Sequence, residues 1–287
     1  MKFDEIKEIA VLGAGLMGHG IAQVCASAGY DVRLYDIDNA ILENALSRIK
    51  KNLNKLVEKG KISRDDADKV IGRIHPTTDL KEAVKEADIV IEAIPEDINL
   101  KKKVFSEIDE IAKPDAVFAT NTSSLSITEL ASATKREDRF IGMHWFNPPP
   151  VMRLIEIIRG ERTSDETVEL MKKLVKKLGK EYVVVDDVPG FIVNRILVPM
   201  INEAIRVVES GIASPEDVDK AMELGANLPM GPLRLADFVG LDTLLRVLET
   251  FREELGDYYK PSPLLKKLVR AGKTGVKSGE GFYKYQR

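Results

Sequence analysis

The sequence predicts an α/β fold with two domains, the first built on an open parallel sheet and the second wholly helical. Short apolar runs rich in β-branched residues alternate with helical stretches as far as residue 186, and only helical spacing continues beyond residue 189. A glycine-rich turn joins the first run to the first helix. The length of 287 residues corresponds to about two domains. We therefore expect one domain at residues 1–187 and a helical domain at residues 188–287.

Composition and charge narrow the class of protein. Hydrophobic residues make up 44% of the chain, charged residues make up 31%, and the net charge is −3, so the chain lacks the basic excess that nucleic acid binding requires. The single cysteine, Cys25, excludes an intrachain disulfide and a cysteine metal cluster, and we expect no metal. The acidic N-terminus predicts no signal peptide, and no apolar window approaches the roughly 18 residues of a membrane span. We expect a cytoplasmic enzyme or binding protein with no nucleic acid or membrane partner.

The glycine-rich turn is of the kind that binds a dinucleotide. It follows the apolar run at residues 6–12 and precedes the helix at residues 21–26. The first glycine permits a tight turn, the second lets the backbone approach a pyrophosphate, and the third lets the helix pack against the strand. The helix N-terminus then faces the phosphates. We predict a Rossmann-type domain whose phosphate-binding residues are Gly13, Gly15, Leu16, Met17 and Gly18.

Asp36 indicates which dinucleotide is bound. It ends the second predicted strand, residues 31–36, where an acidic side chain accepts hydrogen bonds from the ribose hydroxyls of adenosine. It would repel a 2′-phosphate, and no arginine directly follows it, so NAD is favoured over NADP. The alternative is a glycine-rich turn between a strand and a helix that binds nothing.

Polar residues follow the next two predicted strands. Residues 87–94 form a strand that Pro95 stops, and residues 116–120 form another, so Glu96 and residues 121–124 lie at the edge where a parallel sheet binds its ligand. Residues 121–124 have two equally supported interpretations. They belong to the cofactor crevice, or they form a polar loop that caps the helix at residues 127–131.

His144 is the candidate for proton transfer. It is one of three histidines and ends the predicted strand at residues 139–144. Glu156 stands in the apolar strand at residues 152–158, where a carboxylate is costly unless it is paired. Because a short connection joins the two strands, we expect Glu156 to orient the His144 imidazole and stabilise its cationic form. The alternative is an edge strand with Glu156 facing water.

Two helices carry further candidates. The amphipathic helix at residues 39–59 has a basic face, which is a solvated surface in the simplest interpretation and a site for an anionic ligand tail in the other. Asn194 interrupts the apolar pattern of the helix at residues 190–209, and a buried amide needs partners. Further helices are predicted at residues 215–224, 232–254 and 264–271.

Several motifs together resemble the 3-hydroxyacyl-CoA dehydrogenase family over nearly the whole chain, most closely its short members, the 3-hydroxybutyryl-CoA dehydrogenases. The resemblance implies a Rossmann-type domain followed by a helical domain that pairs with its copy in a homodimer. The motifs are Gly13-Ala14-Gly15-Leu16-Met17-Gly18, Asn121-Thr122-Ser123-Ser124-Leu125, His144-Trp145-Phe146-Asn147-Pro148, Pro189-Gly190-Phe191-Ile192-Val193-Asn194-Arg195, Pro229-Met230-Gly231-Pro232 and Gly279-Glu280-Gly281-Phe282-Tyr283.

The resemblance also implies roles for individual residues. It implies that His144 is the general acid/base, that Glu156 orients it, and that Ser123 and Asn194 hold the substrate and complete the catalytic site. Asn52 and Lys59 fall where the family meets CoA, which strengthens the ligand interpretation of the basic helix. The positions that fall where the family contacts NAD, besides the glycine turn and Asp36, are Glu96, Lys101, Asn147 and Lys277. Asn121 and Ser123 are further candidates for NAD binding because of their position on the rim of the crevice.

The implied reaction is the NAD-dependent oxidation of a 3-hydroxyacyl-CoA and its reverse. The sequence leaves two alternatives open: a related dehydrogenase of free 3-hydroxy or sugar acids, and a non-catalytic protein that binds NAD. The long basic helix and the full helical domain favour the acyl-CoA substrate. Presence of His144, Glu156, Ser123 and Asn194 together argues against a protein that has lost the chemistry.

Overall fold

The predicted fold class, an α/β dinucleotide-binding domain followed by a helical domain, is confirmed. The computed structural model describes residues 2–285, and the chain divides into two compact units between Val188 and Pro189. The first unit contains an eight-stranded sheet with helices between its strands, and the second contains helices followed by a short bridged tail.

The strands of the first unit form one sheet in the order β3-β2-β1-β4-β5-β6-β7-β8. Every neighbouring pair is parallel except β6 and β7. The apolar runs of β4 and β5 are buried along their whole length because helices cover both faces of a parallel sheet. The strands are β1 (Glu8–Leu12), β2 (Asp31–Tyr35), β3 (Ile74–Thr77), β4 (Ile89–Glu92), β5 (Val117–Thr120), β6 (Phe140–Trp145), β7 (Leu154–Arg159) and β8 (Glu181–Asp186).

Strand order reverses at β1, which lies between β2 and β4. In an open α/β sheet, ligands bind beyond the carboxyl ends of the strands at such a reversal. The carboxyl ends of β1, β2, β4, β5 and β6 all meet at the same edge of the sheet, since these strands are parallel. This edge is called the crevice edge below.

Most helices of the first unit have an N-cap residue whose side chain accepts a backbone N–H group of the first turn. This hydrogen bond satisfies one or two of the N–H groups that have no partner within the helix. Ser63 caps the helix at residues 64–72 in this way, and the cap before residue 127 is Ser126, beyond the polar segment at 121–124. The helices are α1 (Gly18–Ser27), α2 (Asn39–Glu58), α3 (Arg64–Gly72), α4 (Leu80–Val84), α5 (Ile98–Asp109), α6 (Ile127–Ala131) and α7 (Asp165–Lys177).

The second unit packs its helices around an apolar core of its own that includes Leu233, Leu244 and Phe251. The prediction of one helix at residues 232–254 is wrong. Gly240, at φ +103°, ends one helix and begins the next, because this backbone conformation is not helical. The helices are α8 (Val193–Glu209), α9 (Pro215–Gly225), α10 (Pro232–Val239), α11 (Leu241–Leu255) and α12 (Pro263–Arg270).

Two elements of the first unit differ from the sequence prediction. The edge strand β3, which contains His75 and Pro76, was not predicted. The missing N–H of Pro76 costs no hydrogen bond there, because one side of an edge strand is open. The five-residue helix α4 was not predicted, because one turn and a half is too short for periodicity to mark. Within residues 2–285, no helix is long and apolar enough to cross a membrane.

Asp88 fastens the amino ends of β1 and β4, on the side of the sheet opposite the crevice edge. Its Oδ2 accepts the backbone N–H groups of Lys7 at 2.8 Å and Glu8 at 3.1 Å, and its Oδ1 accepts Lys113 Nζ at 2.9 Å. Burial tends to raise the pKa of Asp88, but these hydrogen bonds and the Lys113 charge outweigh it and hold the pKa below its ordinary value.

We expect Asp88→Ala to lower the free energy of unfolding of the first unit by about 2 to 3 kcal/mol, because two backbone donors lose a charged acceptor. The folded-state pKa is depressed, so the stabilisation is present above the ordinary aspartate pKa and is lost as pH falls through the folded pKa. Urea unfolding at neutral and falling pH measures both effects. Exposed Asp115→Ala is the control. An equal loss in both variants, or a difference that persists in acid, would contradict the assignment.

Candidate functional site

The glycine turn follows β1 at the crevice edge and leaves room on one side only. A Cβ on Gly18 would lie 1.6 Å from the Gly13 carbonyl oxygen, and a Cβ on Gly13 would lie 2.6 Å from the Ala93 carbonyl oxygen. A Cβ on Gly15 would meet nothing within 4 Å. Gly13 and Gly18 therefore serve close packing between strand, turn and helix, while Gly15 leaves the backbone open to a ligand. Next to it, Leu16 is 61% exposed and Met17 is half-buried.

Asp36 follows β2 directly beside this turn. Its Oδ2 accepts the backbone N–H of Ala14 at 2.8 Å, which connects the second strand to the glycine turn. The next residue, Ile37, is 82% exposed and carries no charge. This position agrees with the predicted role of Asp36 as the acceptor of ribose hydroxyls, and no cation that could hold a 2′-phosphate directly follows it.

His144 and Glu156 form a buried pair. They are direct partners in the antiparallel register of β6 and β7, so their side chains share one face of the sheet. His144 Nδ1 lies 2.7 Å from Glu156 Oε2, and the two residues are 5% and 0% exposed. A carboxylate in this position favours the imidazole tautomer with its proton on Nδ1, which places the lone pair of the neutral ring on Nε2.

A loop with four consecutive polar residues follows β5 at the crevice edge. Asn121 Oδ1 accepts the backbone N–H of Trp145 at 2.9 Å, which links this loop to the strand that carries His144. Glu96 Oε1 accepts the Thr122 hydroxyl at 2.5 Å, the Ser123 N–H at 3.0 Å and the Ser124 hydroxyl at 3.2 Å. Because one oxygen receives all three donors, Glu96 determines the path of the loop. We call residues 121–124 the serine loop.

Lys101 lies beneath the serine loop. Its side chain is 1% exposed, and its Nζ lies 2.5 Å from Glu92 Oε1, 3.3 Å from Glu96 Oε2 and 3.2 Å from the Ile94 carbonyl oxygen. Burial tends to raise the pKa of Glu96, but the Lys101 charge and the hydrogen bonds of the serine loop outweigh it and lower the pKa. The contact of Lys101 with NAD stays a prediction.

The turn after His144 is held in place by Lys180, a residue that the sequence did not mark as a candidate. Lys180 is 7% exposed, and its Nζ donates to the carbonyl oxygens of Pro149 and Met152, each at 2.7 Å. Burial lowers the pKa of this amine. Asn147, at the start of the turn, is exposed, as a contact with NAD requires.

The remaining candidates lie on helices and in the tail. Asn52 Nδ2, on α2, donates to Gln23 Oε1 of α1 at 3.2 Å, and Lys59 is exposed at the end of α2. In the second unit, Asn194 is half-buried in the first turn of α8. Lys277 Nζ lies 2.7 Å from Asp242 Oδ2.

The first unit thus brings together the glycine turn, Asp36, the serine loop and the His144–Glu156 pair at one edge of one sheet. The sequence reasoning missed Glu92, although the signal that marked Glu156 also marks it: each is a carboxylate inside an apolar strand. Within residues 2–285, no group of three histidine, cysteine or acidic side chains is arranged to hold a metal ion. The arrangement suits proton transfer by an imidazole beside a bound dinucleotide.

Comparisons with known proteins agree with this arrangement. Residues 8–188 match the family model of the 3-hydroxyacyl-CoA dehydrogenase NAD binding domain, and residues 190–285 match the model of the family's C-terminal domain. The predicted cofactor, NAD, is thereby confirmed.

Individual relatives cover nearly the whole length of the chain. The chain is 52% identical to a probable 3-hydroxybutyryl-CoA dehydrogenase of Bacillus subtilis (strain 168), with 98% of each protein covered. It is 51% identical to a probable 3-hydroxybutyryl-CoA dehydrogenase of Deinococcus radiodurans, covering 97% of this chain and 100% of the relative. The crystal structure of (S)-3-hydroxybutyryl-CoA dehydrogenase from Ralstonia eutropha is similar at a TM-score of 0.96 and 46% identity, over 99% of this chain and 100% of the other. The resemblance inferred from the sequence is confirmed, and the chain belongs to the 3-hydroxyacyl-CoA dehydrogenase family.

Proposed function

We propose that this protein is an NAD-dependent dehydrogenase that oxidises (S)-3-hydroxyacyl-CoA to 3-oxoacyl-CoA and catalyses the reverse reaction, with 3-hydroxybutyryl-CoA as a substrate. The observation that carries the proposal is the buried His144–Glu156 pair at the crevice edge. The names of the relatives support this substrate. Three proteins that align with the chain over nearly their full length are named 3-hydroxybutyryl-CoA dehydrogenase or probable 3-hydroxybutyryl-CoA dehydrogenase.

The residues at the crevice edge fit NAD. Gly15 leaves open space above the backbone, and Asp36 is fixed beside the same turn to accept ribose hydroxyls. When bound, NAD supplies a nicotinamide that accepts hydride in oxidation and returns it in reduction. The residues that we propose to hold it are Gly13, Gly15, Leu16, Met17, Gly18, Asp36, Glu96, Lys101, Asn121, Ser123, Asn147 and Lys277.

His144 is the proposed general acid/base. In oxidation, neutral His144 accepts the proton of the 3-hydroxyl group on Nε2, because Glu156 favours the tautomer that puts the lone pair there. The imidazolium that forms is stabilised by the Glu156 carboxylate at 2.7 Å. In reduction, the protonated ring returns this proton to the oxygen that becomes the hydroxyl group. Oxidation therefore requires the neutral ring, reduction requires the charged ring, and rising pH favours oxidation.

Four further residues complete the proposed substrate site. Ser123 has its backbone fixed by Glu96 at 3.0 Å, which suits a hydroxyl that must hold the reacting oxygen in place. We propose that Asn194 contributes an amide to the same substrate. We assign the binding of the anionic CoA portion to Asn52 on α2 and to Lys59, which is exposed at the end of this helix. The ammonium group of Lys59 would bind a CoA phosphate.

We also propose that the enzyme is a cytoplasmic homodimer that associates through its helical unit. Support for dimerisation comes from large apolar side chains on this unit: Ile196 is 66% exposed, Leu224 is 77% exposed and Phe238 is 59% exposed. Exposed apolar surface of this kind is typical of a protein interface. Support for the cytoplasm comes from the single, fully buried cysteine, which excludes the disulfide framework common in secreted proteins.

The test of the function is NADH oxidation by the purified protein on 3-oxoacyl-CoA esters of increasing chain length. We expect turnover of acetoacetyl-CoA and no comparable rate with free acetoacetate, because the free acid lacks the CoA portion that α2 holds. A faster rate with the free acid would replace the substrate class with a hydroxy acid. NADH binding without oxidation of any ester would favour a non-catalytic protein.

We expect His144→Ala to lower kcat by roughly two to four orders of magnitude, because the proton of the reacting hydroxyl group loses its acceptor. Steady-state kinetics in both directions measure this change. The matched control is His75→Ala, in the edge strand β3 away from the crevice edge, which should retain kcat. Near-normal turnover by His144→Ala would remove the assignment.

Glu156→Gln is the companion variant. We expect kcat to fall while the dissociation constant for NAD changes less.

We expect Gly15→Ala to raise the dissociation constant for NAD roughly tenfold, equivalent to about 1.4 kcal/mol, without changing the thermal unfolding midpoint. The added methyl group meets nothing in the protein, so it interferes only with a ligand. Titration calorimetry and thermal unfolding separate the two effects. Gly72→Ala, where a Cβ also meets nothing within 4 Å, is the control. Weakened folding of Gly15→Ala, or unchanged NAD binding, would show that this space is not a ligand site.

A further inference from the structure

Beneath the crevice edge, three charged side chains lie in contact with one another: Glu92, Lys101 and Glu96. Glu92 ends β4 at 0% exposure. Its Oε1 accepts Lys101 Nζ at 2.5 Å and the Ile94 N–H at 2.7 Å, and its Oε2 accepts the Thr120 hydroxyl at 2.6 Å. With Lys101 only 1% exposed, both charges of this pair lie out of water.

The same ammonium extends the chain to the serine loop. Lys101 Nζ lies 3.3 Å from Glu96 Oε2, while Glu96 Oε1 receives the donors of Thr122, Ser123 and Ser124. The ammonium therefore lies between two carboxylates, one fully buried below it and one 24% exposed above it. Displacement of Lys101 would release Glu96, and displacement of Glu96 would release the backbone of Ser123.

We propose that Lys101, anchored by Glu92, is a positioning residue that acts on the reaction through Glu96: it holds the Glu96 carboxylate charged and aimed at the serine loop, and so places Ser123. This inference rests on the proposed function only for its effect on turnover. Its electrostatic core is a property of the protein without ligand.

Two considerations favour this role over a simple structural ion pair. Burying a lysine and a glutamate costs desolvation energy that a pair of apolar side chains would avoid, so the pair is a poor device for stability alone. The ammonium is also 1% exposed and has three protein partners, so apart from the proposed contact of Lys101 with NAD, its influence on the serine loop passes through Glu96. That group, Glu96, touches the backbone of the serine loop directly.

The charges that face Glu96 are few, which makes their effects separable. Lys101 of α5 is its cationic neighbour, and Glu92 of β4 lies behind that lysine. The β5 side presents the neutral donors Thr122, Ser123 and Ser124. Removal of the lysine should raise the pKa of Glu96. Burial raises the pKa of Glu92, whereas the pKa of Glu96 is lowered, so Glu92 is already neutral where Glu96 titrates, and a glutamine in its place should leave that titration unchanged.

The experiment measures the carboxyl titration of Glu96 in the ligand-free protein by ¹³C NMR with glutamate labelled at the carboxyl carbon. The signal that disappears in Glu96→Gln assigns the residue. Three further proteins are compared with the parent: Lys101→Met, Glu92→Gln and the control Lys102→Met. The neighbouring Lys102 has a surface pair instead, with Nζ 2.6 Å from Glu129 Oε1 and 33% of its side chain exposed.

We expect the Glu96 titration to move to higher pH in Lys101→Met and to stay in place in Glu92→Gln and Lys102→Met. No shift in Lys101→Met, or an equal shift in Lys102→Met, would overturn the proposal. Lys101→Gln removes the same charge and keeps a polar side chain, so the test stands even if Lys101→Met does not fold. A role limited to stability would leave the turnover of the folded variant unchanged.

The effect on turnover is measured separately as the NADH-dependent reduction of acetoacetyl-CoA. We expect Lys101→Met to lower kcat by roughly ten- to a hundredfold, as misplacement of a substrate-holding group does. In the Glu96→Gln background, Lys101→Met should lower kcat by much less, because the Glu96 charge through which Lys101 acts on Ser123 is already absent. Independent, multiplicative losses would show that Lys101 acts on the reaction without Glu96, and the proposal would fail.

Discussion

The structure depends on one electrostatic constraint: a carboxylate that folding removes from water must be given a partner of opposite or polar character. Two strands of the sheet carry such a carboxylate in an otherwise apolar run, Glu156 in β7 and Glu92 in β4, and both are 0% exposed. The partners that they receive, His144 and Lys101, are the groups around which the crevice edge is organised. The energetic cost of burying these charges is therefore concentrated at the edge of the sheet where we propose that the reaction takes place.

Much of the first unit could be predicted because its signals are local. The glycine turn, the strands beside it and the acid at Asp36 follow one another within a short segment, and the geometry of a strand, turn and helix restricts where they can lie. Glu156 could be predicted as a partner of His144 because a short connection limits which strands are neighbours. The pairing itself was confirmed at 2.7 Å.

Other features were beyond the reach of local patterns. The helices on either side of Gly240 share one continuous apolar periodicity, so only the backbone angle reveals the break between them. Lys101 looks like one of several lysines on an amphipathic helix, and its burial follows from the position of Glu92 on a different strand. Lys180 is set by two carbonyl groups 28 and 31 residues away in the chain. Long-range partners of this kind leave no periodic signal in the sequence.

The antiparallel pairing of β6 with β7 also affects which changes of length the chain can accept during evolution. Residues added to the connection between the two strands leave His144 opposite Glu156, since the pairing of the strands is maintained by their own hydrogen bonds. One residue added inside β7 ahead of Glu156 would instead turn its carboxylate to the opposite face of the sheet, because side chains alternate. The pairing of His144 with Glu156 therefore tolerates added residues in the connection, where only Asn147 and the turn bound by Lys180 restrict the chain, while the strand interior is closed to insertion or deletion of a single residue.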